Sequence, residues 1–195
     1  MIPEVFDRIY RANEWAGEET RSGPGSHLAP TRPVAEALLE LVGELGIRTV
    51  LDVGCGEGWW QPELPGYVGL DVSPEAIRRA RELHPERAYM LRPPDAPIPQ
   101  ADLVITRDAM QHLSLPEGAR LLALIRESGS RYLLASTYVG GQNVSIRDGE
   151  FYSPDLTAPP FGMPAPLRLI PDGYDYGTGE PGRDPAKHLG LWALD

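Results

Sequence analysis

The stretch Val50-Leu51-Asp52-Val53-Gly54-Cys55-Gly56-Glu57-Gly58 decides the fold. A short apolar run closes on glycines spaced two apart, which reads as a buried parallel strand entering a tight turn that a ligand approaches closely. Glycines there admit backbone angles closed to other residues and leave no side chain in the ligand's way. A second apolar run, Tyr67-Val68-Gly69-Leu70-Asp71, ends in an acid about 20 residues further on. That is where a nucleotide-binding βαβ unit holds a ribose hydroxyl.

A dinucleotide fingerprint, G-x-G-x-x-G, would need a glycine where this chain has Trp59. The spacing here is G-x-G-x-G. Asp52 at the mouth of the loop would repel a pyrophosphate and attract a ligand carrying an ammonium and a sulfonium. S-adenosylmethionine (SAM) has both, and a ribose for Asp71. Leu51 to Gly58 resembles the first motif of class I SAM-dependent methyltransferases, and Gly69-Leu70-Asp71-Val72-Ser73 resembles their second. The resemblance implies a Rossmann-like α/β fold, a doubly wound and mostly parallel sheet with an antiparallel C-terminal strand. It implies SAM as cofactor, S-adenosylhomocysteine as product, and a cofactor site of Asp52, Gly54, Cys55, Gly56, Trp60, Asp71, Val72 and Arg107.

A narrower resemblance is to a small bacterial and phage-type group of these enzymes, mostly of unassigned substrate. It rests on Trp15…Ser22-Gly23-Pro24-Gly25-Ser26, Arg107-Asp108…His112-Leu113, Tyr132 to Tyr138, Asn143, Pro160-Phe161 and Lys187 to Trp192. One position departs from the wider family. An acid just after the third strand often meets the adenine amino group; here Arg92 stands there, with Asp95 three residues late.

The chain has 195 residues and a net charge of −10. That length suits one domain, 1–195, with a substantial core. Without a basic run, attraction to a phosphate backbone is not expected, so nucleic acid is excluded as a partner. The start carries Glu4, Asp7, Arg8 and Arg11 and does not read as a signal peptide; no segment reads as a membrane span. A single cysteine suits the cytoplasm. Cys55 reads as a small residue beside the cofactor rather than a reactive thiol.

In chain order, Pro3 to Tyr10 reads as a helix with Val5, Phe6, Ile9 and Tyr10 on one face. Within 1–30, the glycine-rich stretch holding Trp15, Arg21, Ser22 and Ser26 reads as a flap over the cofactor or a solvated arm. Thr31 is expected to cap a helix to about Gly46. Trp59 and Trp60 read as core aromatics or as packing on the cofactor. Ser73 is expected to cap the next helix, with Ala76, Ile77, Ala80 and Leu83 facing inward and Glu75–Arg79 and Arg78–Glu82 pairs outside. Ala88–Leu91, Asp102–Thr106 and Tyr132–Ser136 read as strands, and Ser114 to Glu117 as a capping box opening a helix to about Ser128. Residues 138–166, rich in proline and without helical pattern, read as a lid or substrate loop. Leu167–Ile170 and Leu189–Leu194 read as closing strands around a turn-rich acidic excursion from Gly173 to Asp184.

Ligands lie beyond the carboxyl ends of strands in such a sheet, which places Arg107, Asp108 and His112 at the cofactor's reactive end. Asp108 and His112, four apart, would share a face if helical. His112 as a base oriented by Asp108 is the sharper reading; an Asp108 helix cap and a packed His112 is the plainer one. No third ligand accompanies them, so no metal is expected. The function expected is methyl transfer to a hydroxyl or amine of a small molecule, of sugar or natural-product type. The alternatives are peptide or protein methylation, a non-catalytic SAM-binding role and, against Trp59, a nicotinamide oxidoreductase.

Overall fold

The computed structural model describes residues 1–172 and 187–194. Helix α1 (Ile2–Ala12) is followed by an arm that ends in a 3-10 turn, Pro24–Ser26. Helix α2 (Leu28–Glu44) leads into β1 (Val50–Val53), then β2 (Tyr67–Asp71), α3 (Pro74–Leu83), β3 (Ala88–Leu91) and β4 (Leu103–Thr106). A 3-10 turn at Met110–His112 precedes α4 (Leu115–Glu127), β5 (Tyr132–Tyr138), β6 (Arg168–Pro171) and β7 (Lys187–Ala193). The strands form one sheet in the order β3-β2-β1-β4-β5-β7-β6. β1 pairs in parallel with β2 and β4, β2 with β3, and β4 with β5, while β7 runs antiparallel to both β5 and β6. This is the doubly wound, mostly parallel sheet the resemblance implies, with its antiparallel closing strand.

Central strands read as unbroken apolar runs because both faces are covered. On one face, Val34, Leu38 and Leu41 of α2 and Ile77 and Ala80 of α3 bury against Val50, Leu103 and Ile105. On the other, Leu122 and Ile125 of α4 meet Val53, Val104 and Leu133. Each fully buried leucine or valine there contributes about 1.5–3 kcal/mol over an exposed one. No helix among the described residues is long and apolar enough to cross a membrane.

Several local expectations change. Helix α2 begins three residues before Thr31, whose hydroxyl lies inside the helix and donates to the His27 carbonyl at 2.7 Å. Such back-bonding is the other habit of a threonine, and no residue spacing tells it from a cap. Ser73 does cap α3, accepting from Ala76 N at 3.1 Å. Leu83, at that helix's end, is 41% exposed rather than inward. Glu75 pairs with Arg78, not Arg79, which reaches back to Glu57. Ser114 forms no capping box: its side chain makes no cap bond, and Glu117 turns to Arg120. The stretch 139–167 has no helix or strand, yet Tyr152, Leu156, Phe161 and Met163 fill the core beside α4. The excursion from Gly173 to Asp184 lies outside the described residues.

Candidate functional site

The chain reverses at β1 with Gly54 at φ 81°, Gly56 at 58° and Gly58 at 66°, all in the left-handed region. There a side chain would be strained. A Cβ on Gly56 would also come within 2.5 Å of the Tyr10 hydroxyl, so both the backbone and the space require glycine. Above this loop lies a cavity, partly open to solvent.

Of the residues singled out for the cofactor, Gly54, Cys55, Gly56, Trp60, Asp71, Val72 and Arg107 all line this cavity, as do Asp108 and His112. Asp52 does not. It lies beneath the loop, 1% exposed, accepting from Gln61 Nε2 at 2.6 Å and from the Tyr67 hydroxyl at 3.0 Å. Burial, partly offset by those two bonds, raises its pKa to about 6. Its place on β1 turns it away from the mouth, so it holds the strand to its neighbours rather than meeting a ligand's charge.

Asp71 ends β2 and is bridged to the loop. Its Oδ2 accepts from Gly56 N at 3.0 Å and its Oδ1 from Ser73 N at 2.9 Å. Burial raises its pKa, against three backbone N–H bonds that lower it. Burial also pushes the Cys55 thiol well above its usual value, which makes it an inert neighbour. Trp60 lies 7% exposed under the Arg107 guanidinium, 4.9 Å from its ring centre. Trp59 instead sits at the surface of the arm, its Nε1 3.4 Å from Glu19 Oε2.

Arg107 is anchored from far along the chain. It donates to both Asp172 oxygens at 2.9 and 2.8 Å and to the Gly25 carbonyl at 2.9 Å. Asp108 follows with φ 57°, a conformation aspartate tolerates better than most residues. Its carboxylate receives Lys187 Nζ at 2.6 Å and lies 3.2 Å from Arg107. Lys187 also pairs with Asp172 at 2.9 Å. Burial pushes the Asp108 pKa up, but the Arg107 and Lys187 charges outweigh it and hold the group below its usual range.

His112 sits on the 3-10 turn, not on a helix. Its Nδ1 lies 2.9 Å from the Glu150 carbonyl. A carbonyl only accepts, so the neutral ring carries its proton on Nδ1 and its lone pair on Nε2. The orienting partner is therefore Glu150 rather than Asp108. Trp15 lies against the ring at a centroid distance of 4.8 Å, and Phe151 at 5.9 Å. Burial lowers the His112 pKa, partly opposed by the Glu150 bond and by Asp108.

The arm closes over this site. Tyr10 and Ser22 hydroxyls meet at 3.0 Å, and Ser22 Oγ accepts from Glu57 N at 3.3 Å. The buried Glu57 carboxylate accepts from the Thr20 hydroxyl at 2.6 Å and Arg21 N at 3.0 Å. Asp7 of α1 accepts from Glu75 N at 2.9 Å, fixing α1 to the start of α3. Sequence reasoning singled out Trp15, Ser22 and Ser26, but not Tyr10, Glu57, Glu150, Asp172 or Glu117. The partners of Tyr10, Glu57, Glu150 and Asp172 are too distant along the chain for spacing to show, and Glu117 read instead as part of a capping box.

A glycine loop, a buried acid at the next strand and a cavity between them define a domain built to hold a nucleoside-bearing cofactor. A family model described as a methyltransferase domain matches residues 50–128. The chain is similar to magnesium protoporphyrin IX methyltransferase from Synechocystis PCC 6803, solved with SAM, at 15% identity and TM-score 0.68, over 100% of this chain and 95% of that one. It is similar to the methyltransferase domain of bacterial CtHen1 at 14% identity and TM-score 0.61, over 85% and 100%. A protein that converts a disulfide bond into a thioacetal group during echinomycin biosynthesis matches at 17% identity and TM-score 0.61, over 100% and 92%. At these identities the likeness is one of fold. No curated protein matches the chain. The match to the methyltransferase-domain family spans β1 through α4, and the fold is that of the class I SAM-dependent methyltransferases the chain is similar to. The site fits SAM, the ligand with which the Synechocystis enzyme was solved: the loop is bare at Gly54 and Gly56, where a Cβ would run into Ala109 or into Ser22 and Tyr10, and Asp71 offers a buried carboxylate beside the cavity.

Proposed function

We propose that the protein transfers a methyl group to a hydroxyl or amine of a small molecule, with His112 as the base when the acceptor is an alcohol. One observation carries this reading: His112 has its Nδ1 tied to the Glu150 carbonyl, which turns the basic Nε2 away from that bond on a ring that lines the cavity. Bound SAM supplies an electrophilic methyl on a sulfonium. Asp71 would hold the ribose, the Gly54–Gly56 backbone would lie against the methionine end, and Trp60 and Arg107 would wall that end. His112 Nε2 would take the acceptor's hydroxyl proton, and its lowered pKa keeps it neutral and ready to do so near pH 7. Asp108, paired with Lys187, supplies a fixed negative charge that favours the resulting imidazolium. A neutral amine would need no such base, and orientation would then carry catalysis.

A small acceptor agrees with the cover formed by α1 and the arm, which we assign as the flap over the cofactor. The net charge of −10 disfavours nucleic acid. The solved relatives named for a porphyrin and for echinomycin biosynthesis also act in small-molecule chemistry. The test is a screen of SAM against sugars, amino acids, hydroxylated metabolites and peptides, followed by His112→Ala on the acceptor found. For an alcohol, turnover should fall about 10²–10⁴-fold while SAM affinity stays. Loss of SAM binding instead would make His112 part of the cofactor pocket and end the acid–base proposal.

A further inference from the structure

The acid that commonly meets adenine is absent after β3. Arg92 stands there and folds back on its own loop, donating to the Pro94 and Ala96 carbonyls. Asp95 does not replace it: 77% of its side chain is exposed, and it pairs with Arg120. Three carboxylates line the cavity: Asp71, Asp108 and Glu117. Asp71 is held by the glycine loop and Asp108 by Lys187 and Ser136. Glu117 lies on the first turn of α4. Its Oε2 accepts from Arg120, while Oε1 receives no hydrogen bond among the described residues.

The wall around Glu117 suits a purine. Glu117 and Leu121 are one helical turn apart on α4 and share a face. Leu113, just before the helix, and Val72, the residue after Asp71, line the same cavity with Ile2 and Phe6 of α1. Phe6 and Leu113, with Ile2, Val72 and Leu121 against them, form one apolar cluster. A base attached to a ribose at Asp71 would enter this slot, its apolar faces between α1 and α4. Arg120, held by both Asp95 and Glu117, fixes the carboxylate at the slot's edge.

We propose that Glu117 reads the cofactor's base, its free Oε1 accepting a hydrogen bond from the adenine amino group. This rests on SAM being the cofactor and is independent of the acceptor. A carboxylate in this place also rejects hypoxanthine, whose oxo oxygen would face it lone pair to lone pair. The Glu117 side chain is 29% exposed, so water takes over part of a lost bond, and the discrimination comes mainly from the facing lone pairs.

The test is calorimetric titration with S-adenosylhomocysteine and with S-inosylhomocysteine. The wild-type protein should bind the adenine compound roughly 30-fold or more tighter. Glu117→Gln should reduce that preference to within about threefold, because a glutamine amide can accept from the amine or, turned over, donate to the oxo group. Glu117→Ala should weaken S-adenosylhomocysteine about 10- to 100-fold. Asp71→Asn should weaken both ligands and leave their ratio as in the wild type, which separates base reading from general damage. A wild-type protein that binds both ligands alike, or a Glu117→Gln variant that keeps the full preference, overturns the assignment. Wild-type protein that binds neither overturns the cofactor as well.

Discussion

Replacing Glu57 by glutamine should release the arm while leaving the sheet intact. The Glu57 side chain is 1% exposed and joins three elements. Its Oε2 accepts from Thr20 and Arg21 of the arm, and its Oε1 from Arg79 of α3. Glutamine keeps one oxygen and puts an amide nitrogen in place of the other. Whichever way the amide turns, a donor then faces a donor. A hydrogen bond to a charged group contributes about 1.5–3 kcal/mol, and a buried donor left unmet costs about 1–3 kcal/mol. Arg79 is 28% exposed, so water can take over part of its loss. The arm should therefore lose about 2–4 kcal/mol of its local closing free energy. At tenfold per 1.4 kcal/mol, its opening constant should rise roughly 30- to 700-fold. Hydrogen exchange read on peptides covering 14–27 measures this directly, with β1 and β4 as the internal reference. Refutation would be unchanged protection across 14–27, or an equal loss across the sheet, since either would mean that the carboxylate does not hold the arm in particular.

Asp71→Ala leaves Gly56 N and Ser73 N without their acceptor, so urea unfolding should show a loss of about 2–4 kcal/mol. Affinity for S-adenosylhomocysteine should fall by roughly 2–3 kcal/mol in calorimetry; unchanged affinity would remove the ribose assignment. Asp52 has its pKa raised to about 6 from an ordinary 3.8 by burial. Between those values the folded state holds a proton the unfolded chain has released, so this group favours folding below pH 4 and loses that contribution as pH rises to 6. The window corresponds to about 3 kcal/mol. Asp52→Asn should remove this slope from the variant, so the stability difference between wild type and variant should change by about 3 kcal/mol from pH 4 to 6; parallel curves over that range would refute it. His112 titrates below 6.5 because burial disfavours its charge. If it is the base, kcat/KM for an alcohol acceptor should be flat from pH 7 to 8 and fall only below 6.5, and an acidic limb centred above 7 would exclude it.

The βαβ core was legible because its signals are local. Apolar runs mark β1 and β2, and Ser73 before Pro74 marks the start of α3. The glycine loop shows its strained geometry through residues no other type could replace. Caps were less legible: Thr31 and Ser114 have the right chemistry, but a neighbouring carbonyl took the first hydroxyl and the second makes no cap bond. Asp52 was misplaced because alternation along β1 does not say which side of the sheet the loop opens on. The pairs Arg107–Asp172, Asp108–Lys187 and Glu57–Arg79 were invisible for another reason. Opposite charges are plentiful in the chain, and only the folded topology chooses among them. That His112 lies beside the cavity was legible, whereas the partner of its ring is a backbone carbonyl, a group every residue carries.

The position of β7 between β5 and β6 has a consequence for synthesis. The ribosome releases β6 before the strand it pairs with exists, so β6 waits, unpaired, until β7 emerges. β7 must then insert against β5 along seven residue pairs, from Tyr132↔Ala193 to Tyr138↔Lys187. Only that insertion brings Lys187 to Asp108 and Asp172. Non-local pairings of this kind form late, after shorter loops have closed. The growing chain therefore carries an assembled glycine loop well before it carries a neutralised reaction centre, and a chaperone that shields the β5 edge would act in that interval.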